Sequence, residues 1–194
     1  MIVNSLLILG AGGHGRSIYE MAISLDLFTH VAFLDDGAHS AEQALEKNII
    51  GRIHKLCEFA PKYTHAVVGI GNNSVRETLQ SKAMDAGLII STLIHPRAMV
   101  SPSAQIEMGT VILAGAIIGA NVKIGKGVIV NCQTVVDHDG VLEDFSHLGV
   151  GVSLAGNSLI GRSAFVQAGS SGGYNCHIEP YAKCAPGTVL ETRA

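Results

Sequence analysis

A histidine flanked by two carboxylates, in the run Asp137-His138-Asp139, is the clearest candidate for chemistry in the sequence. A lone histidine at a turn is usually a solvated surface residue. Histidine titrates near neutral pH, however, and a neighbouring carboxylate orients the ring and raises its basicity, so the run is typical of a general base. Asn131 lies in the same polar stretch. We expect His138 to take a proton, Asp139 to orient it and Asn131 to help position the substrate.

A second candidate site is a glycine-rich turn near the start of the chain. Gly10, Gly12 and Gly15 form a G-x-G-x-x-G pattern, and Asp35 follows twenty residues after Gly15. This pattern is the fingerprint of dinucleotide sites, in which backbone amides and a helix N-terminus hold phosphates. Only about 95 residues precede the repeat described below, whereas a dinucleotide domain needs roughly 150. The sequence therefore predicts a site for one nucleotide; the alternative is a turn that only packs helix on sheet.

Alternating strands and helices are predicted to position this turn. Strands are predicted at residues 6–9, 31–34, 66–70 and 88–93, and helices at 17–25, 41–47 and 74–86. Such alternation favours a parallel sheet covered on both faces. Residues 1–95 are therefore expected to form a Rossmann-like α/β half domain that binds the nucleotide.

A six-residue repeat follows this domain. An aliphatic residue stands at every sixth position from Val100 to Val166, twelve positions in succession. The residue three positions later is most often Gly, Asn or Asp, the types that tolerate a positive φ at a tight corner. Such hexads are typical of a parallel β-helix, in which short strands form three faces and the aliphatic side chains fill the interior. Residues 96–194 are expected to form this domain.

Several motifs, taken in order, resemble one enzyme family over nearly the whole chain. The runs GAGGHG, FLDD and IGNN precede a repeat that carries NCQTVVDHD and FSHLGVG. This arrangement is similar to the hexapeptide-repeat nucleotide-sugar acetyltransferases of the PglD and NeuD types. The resemblance implies a left-handed β-helix and an acetyl-CoA-dependent N-acetyltransferase that acts by direct transfer on the 4-amino group of a nucleotide-linked deoxy sugar. It also implies a homotrimer with active sites between subunits, and no metal.

The resemblance further assigns roles to individual residues. The nucleotide sugar is expected at Gly12, Gly13, His14, Asp35, Asp36 and Gly71, and acetyl-CoA at His147, Gly156 and Ala168. His138 matches the family's catalytic histidine, which is followed by an acidic residue, here Asp139.

The charge balance, the N-terminus and the apolar runs of the sequence limit which classes of partner and which location we expect. Thirteen basic and sixteen acidic residues give a formal net charge of −3, which offers no electrostatic footprint for nucleic acid or anionic lipid. The N-terminus lacks the basic start of a signal peptide, and no apolar run is long enough to span a membrane, so a cytoplasmic protein is expected. The four cysteines have no metal-ligand spacing.

Two other functions fit the same sequence. A sialic acid O-acetyltransferase shares the layout and differs in the acceptor. A non-catalytic β-helix that serves as a scaffold or a nucleotide-sugar sensor is favoured by the end of the sequence, which lacks the G-x-P-A segment and capping tail usual in the family.

Overall fold

The structure, a computed structural model, describes residues 4–37 and 48–191. The chain divides into two compact units, residues 1–91 and residues 92–194. The predicted helix at residues 41–47 lies outside the described residues.

The described part of the first unit contains five parallel strands and three α-helices. The strands are β1 (Ser5–Leu9), β2 (His30–Leu34), β3 (Ile49–Gly51), β4 (His65–Val68) and β5 (Ile89–Ile90); the helices are α1 (Gly13–Leu25), α2 (Leu56–Phe59) and α3 (Asn73–Asp85). The sheet order is β3-β2-β1-β4-β5, so the strand order reverses between β1 and β4. In open parallel sheets, ligands bind at the carboxyl ends of the strands beside such a reversal.

Local sequence explains where these elements begin. Every residue of β1 is buried, as the apolar run predicts. α1 begins directly in the glycine turn, at Gly13, which is earlier than its helical spacing indicated. α3 begins after Asn72, whose side-chain oxygen accepts the N–H of Val75 at 3.1 Å and so caps the helix.

The second unit is a left-handed parallel β-helix of two-residue strands on three faces. The first face contains β6 (Leu93–Ile94), β9 (Val111–Ile112), β12 (Ile129–Val130), β15 (His147–Leu148), β18 (Phe165–Val166) and β21 (Lys183–Cys184). The second face contains β7 (Met99–Val100), β10 (Ile117–Ile118), β13 (Val135–Val136), β16 (Ser153–Leu154), β19 (Ser171–Gly172) and β22 (Val189–Leu190). The third face contains β8 (Gln105–Ile106), β11 (Lys123–Ile124), β14 (Val141–Leu142), β17 (Leu159–Ile160) and β20 (His177–Ile178).

The hexad pattern accounts for both the interior and the corners of this β-helix. The aliphatic residue of each hexad is the second residue of its strand, and from Ile112 to Val166 these side chains are buried in one core. Every sixth residue from Gly109 to Gly187 has a positive φ. Residues one coil apart, such as Ile117 and Val135, pair in register. The predicted fold class is therefore confirmed.

The predicted strand at residues 88–93 is instead two strands in different units. Ile89 and Ile90 pair with β4, whereas Leu93 and Ile94 pair with β9 of the β-helix. The division thus falls after Ser91 rather than after residue 95. Ile94 lies six residues before Val100, so the repeat extends one hexad earlier than the series that was predicted.

Candidate functional site

His138 lies on an edge of the β-helix prism. We call the turns between the first and second faces the first edge, and the turns between the second and third faces the second edge. His138 follows β13 and precedes β14, which places it on the second edge. Its side chain is 46% exposed and points away from the interior, because Val136, two residues earlier, fills the core.

Both neighbouring carboxylates contact His138. The imidazole Nδ1 lies 2.8 Å from Asp139 Oδ2, and Nε2 lies 4.0 Å from Asp137 Oδ2. Asp137 also accepts the backbone N–H of His138 at 2.8 Å. The hydrogen bond to Asp139 raises the pKa of His138. Desolvation opposes this rise, and the charges of Asp137 and Asp139 each add a smaller increase. With Nδ1 held by Asp139, Nε2 is the atom available to take a proton.

Gly156 occupies the position beside Nε2 in the next coil. A Cβ on Gly156 would lie 2.6 Å from both Nε2 and Cε1 of His138, and 2.9 Å from the ring of Tyr174. The rings of His138 and Tyr174 are 6.0 Å apart, and Tyr174 is 60% exposed. Only glycine leaves room for the imidazole here. Gly156, which the resemblance assigned to acetyl-CoA, therefore lies next to the candidate base.

The other predicted residues of this domain lie elsewhere on the prism. Asn131 is on the first edge, where its side-chain oxygen accepts the backbone N–H of Cys132 at 2.8 Å. Ala168 is exposed on the same edge. His147 begins β15 on the first face and stacks on Phe165 with a centroid distance of 4.5 Å. Within one chain the second face separates the His138 edge from the edge that carries Asn131 and Ala168.

The glycine turn of the first unit forms a bare backbone surface. Gly10 has a φ of +108°, and a Cβ on Gly15 would collide with the carbonyl oxygen of Gly10, so both positions require glycine. Among the described residues, a Cβ on Gly12 or on Gly13 would meet nothing within 4 Å. Gly12 precedes α1 and Gly13 is its first residue, so these amides lie at a helix N-terminus. His14 follows in the same turn of the helix.

Asp35 and Asp36, which follow β2, accept hydrogen bonds from backbone N–H groups. Asp35 accepts the N–H of Ala11 through Oδ2 and the N–H of Gly37 through Oδ1, both at 2.6 Å. Asp36 accepts the N–H of Ile53 at 2.9 Å. Asp35 therefore ties the glycine turn to the end of β2.

A buried arginine that the sequence pattern did not predict supports the loop around Gly71. Arg76 is 1% exposed, and its guanidinium donates to the carbonyl oxygens of Ile70 and Gly71 at 3.3 and 3.1 Å and to the side chain of Asn73 at 2.8 Å. Burial lowers its pKa to about 9, so it stays charged at neutral pH. This loop follows β4, next to β1, and so places Gly71 at the same sheet edge as Gly12 and Asp35.

Comparison with known proteins identifies the family. The PglD N-terminal domain family matches residues 5–83. The acetyltransferase domain of PglB from Neisseria gonorrhoeae, solved with acetyl coenzyme A, is 31% identical; the match covers 98% of this chain and 100% of that one, with a TM-score of 0.83. A histidine-to-asparagine variant of perosamine N-acetyltransferase from Caulobacter crescentus, solved with CoA and GDP-perosamine, is 30% identical over 99% of this chain and 90% of that one, with a TM-score of 0.91.

This chain belongs to the PglD-type nucleotide-sugar N-acetyltransferases. It is an acetyltransferase that uses acetyl-CoA, as the sequence predicted. The part of the chain that the structure describes contains no group of three or more His, Cys, Asp and Glu residues arranged to hold a metal ion. Within the same residues, no helix is both long enough and apolar enough to cross a membrane.

Tyr174 and Asn121 are further residues of the His138 site that the sequence reading missed. Tyr174 lies two coils beyond His138 on the second edge, and Asn121 donates a hydrogen bond to Asp139 at 3.3 Å from the preceding turn of this edge. The available signal was the coil length: residues 18 or 36 positions from the catalytic run lie on its edge.

Proposed function

We propose that the enzyme acetylates the 4-amino group of a nucleotide-linked deoxy sugar, with His138 as the general base. The observation that carries this proposal is the orientation of the imidazole. Its Nδ1 is bound by Asp139 at 2.8 Å, and its Nε2 lies against Gly156, whose lack of a side chain makes room for the ring. The perosamine enzyme from Caulobacter crescentus is an N-acetyltransferase, which favours an amine acceptor over the hydroxyl of sialic acid.

In this mechanism the amine attacks the thioester directly. Nε2 of His138 takes the proton of the amine as the C–N bond forms, and the C–S bond then breaks to release CoA, whose sulfur takes up the proton. Asp139 and Asp137 stabilise the imidazolium that exists between these two transfers. Acetyl-CoA would supply the acetyl group beside Gly156, and Asn131, His147 and Ala168 remain candidates for binding the substrates.

The first unit would hold the nucleotide of the sugar. Gly12 and Gly13 present open backbone at a helix N-terminus, which suits a phosphate group. Asp35, Asp36, His14 and Gly71 lie at the ends of neighbouring strands or in the adjoining turns, where the ribose and the base would bind.

We further propose a homotrimer with active sites between subunits. The second face carries an outward apolar stripe of Met99, Ile117 and Val135, and Met99 is 68% exposed. This stripe lies between the edge of His138 and the edge of Asn131. Packing it against another copy would bring the two edges of different chains together. Light scattering should give three times the mass of one 20.2 kDa chain, and a monomeric mass would contradict the proposal.

Because acetyl-CoA and nucleotide sugars are cytoplasmic metabolites, we also propose a cytoplasmic location, which cell fractionation would test.

Release of CoA thiol tests the catalytic role of His138. With acetyl-CoA and a UDP- or GDP-linked 4-amino-deoxy sugar, His138→Ala should lower kcat by about 10²- to 10⁴-fold, because general-base catalysis contributes that much. His177→Ala is the matched control, since His177 is another β-helix histidine beside a carboxylate, that of Glu179. Equal rates for wild type and His138→Ala would refute the assignment. Faster turnover with sialic acid would favour O-acetylation, and no thiol release with either acceptor would favour the scaffold.

A further inference from the structure

Four corner residues stack in one column along the second edge. Asn121, Asp139, Asn157 and Asn175 occupy the same position in successive coils, and each has a φ of 58° to 60°. Asn121 Nδ2 donates to Asp139 Oδ1 at 3.3 Å, and Asn157 Nδ2 donates to Asn175 Oδ1 at 2.7 Å. The column therefore consists of two bonded pairs. Asp139 belongs to the pair with Asn121 and not to the pair of Asn157 and Asn175 in the following coils.

The two oxygens of Asp139 have different partners. Oδ2 is bound to the imidazole of His138 and Oδ1 to the amide of Asn121. Both side chains of the His138–Asp139 pair are about half exposed, at 46% and 52%, so water competes for the bond between them. A carboxylate that is held at one oxygen cannot rotate freely, so its second oxygen stays in place. The left-handed backbone at Asn121 and Asp139 directs both side chains along the same edge.

We propose that Asn121 is a positioning residue for acetyl transfer: by binding Oδ1 of Asp139, it keeps Oδ2 on Nδ1 of His138 and so keeps Nε2 directed toward the substrate. This inference rests on the proposed role of His138. It extends the catalytic pair to a third residue, which comes from the preceding coil.

The surrounding charges give the sign of the expected pH effect. The groups that face the imidazole are Asp139, Asp137 and the ring of Tyr174. Lys123 lines a surface cavity of about 330 Å³ together with Asp139 and Asn121. Hydrogen bonds from His138 and then from Asn121 lower the pKa of Asp139, and the bond to Asp139 raises the pKa of His138. Without the Asn121 amide, Asp139 can turn away. The pKa of His138 should then fall toward its ordinary value.

Asn121→Gly tests the inference. Glycine occupies the equivalent corner at Gly115 and Gly127, so the coil should fold, and only the amide is lost. We expect kcat near neutral pH to fall about five- to tenfold with unchanged KM values, because one solvent-exposed hydrogen bond of ordinary net strength is lost. The acid limb of the kcat profile should move to lower pH. NMR titration of the His138 ring, assigned by its absence in His138→Ala, should show the same downward shift without any need for turnover.

Asn157→Gly is the matched control, since Asn157 lies in the same column on the other side of Asp139 and its amide bonds to Asn175. It should leave kcat and the His138 titration as in wild type. The inference would be overturned if Asn121→Gly had the kcat and the His138 titration of the wild type. It would also be overturned if both variants shifted the pKa of His138 equally, because the column would then only join the coils. If His138→Ala kept full activity, the base assignment itself would fail. The NMR titration would still decide whether Asn121 controls the His138–Asp139 pair.

Discussion

Asp35, in the first unit, and Asp139, in the second, form hydrogen bonds with different kinds of group. Asp35 accepts two backbone N–H groups and so fixes a glycine turn, whereas Asp139 binds two side chains, those of His138 and Asn121. In the first unit, a side chain shapes the backbone that would meet the ligand. In the second unit, the repeat fixes the backbone, and side chains would meet the substrate. Substitutions in the first unit should therefore change affinity, and those around His138 should change turnover.

Among the substitutions that test this comparison, the largest effect is expected at Gly156. In Gly156→Ala the new Cβ would lie 2.6 Å from Nε2 of His138, so the half-exposed ring must turn away from its place beside Asp139. We expect kcat to fall about 100-fold, as misplacement of a catalytic group by about 1 Å can do. Thermal unfolding should change little, because a flexible ring and not the backbone has to move. A near-wild-type kcat would show that the observed ring position is not the one used in catalysis.

A smaller effect, on affinity, is expected at Asp35. Asp35→Ala removes the acceptor of the Ala11 and Gly37 N–H groups, and each bond contributes roughly 1 kcal/mol. The KM for the nucleotide sugar should therefore rise about ten- to thirtyfold, while kcat changes less than threefold. Glu58→Ala serves as a control, because Glu58 is exposed and pairs only with Lys55 among its described contacts. A drop in kcat without a change in KM would contradict the division of roles between the units.

Within this comparison, the smallest effect is expected at Asp139. Asparagine tolerates the positive φ at this position, as Asn121 and Asn157 show, so Asp139→Asn removes the charge and leaves the corner intact. Without the charged hydrogen bond, the pKa of His138 should fall. Neutral imidazole then exists at lower pH, and the acid limb of the kcat profile moves downward. We expect kcat on the plateau to fall about tenfold, since a weaker base is a poorer catalyst. An unshifted acid limb would show that Asp139 does not control the basicity of His138.

Much of the fold was predictable because the hexad is a local pattern. The aliphatic series predicted the buried interior, and the family resemblance, the acetyl-CoA use and the acyltransfer class are confirmed. The corners were less predictable. Gln133, Phe145, Ser163 and Tyr181 adopt a positive φ although such residues rarely do, because pairing with the coils on either side imposes that conformation. The split between β5 and β6 depends likewise on which strands they pair with.

The site was predictable where its residues are adjacent in sequence. Asp139 is next to His138, so their contact could be anticipated. Asn121, Gly156 and Tyr174 are one or two coils away, and their proximity follows only once the coil length is known. Arg76 was missed because a charged residue on a helix normally points to solvent, and its burial depends on the carbonyl groups of the loop that precedes its own helix. The roles of Asn131, His147 and Ala168 stay predictions.

The register of the β-helix limits how this chain can change in length. Residues that contact one another along an edge differ by one coil, as in the pairing of β10 with β13. Gain or loss of a whole coil of three hexads before Asn121 or after Gly156 would leave His138, Asp139, Asn121 and Gly156 in the same relation. Gain of a single hexad between Asp139 and Gly156 would instead rotate everything after it by one face, and Gly156 would leave the edge of His138. Viable length variation in such enzymes should therefore occur in steps of three hexads.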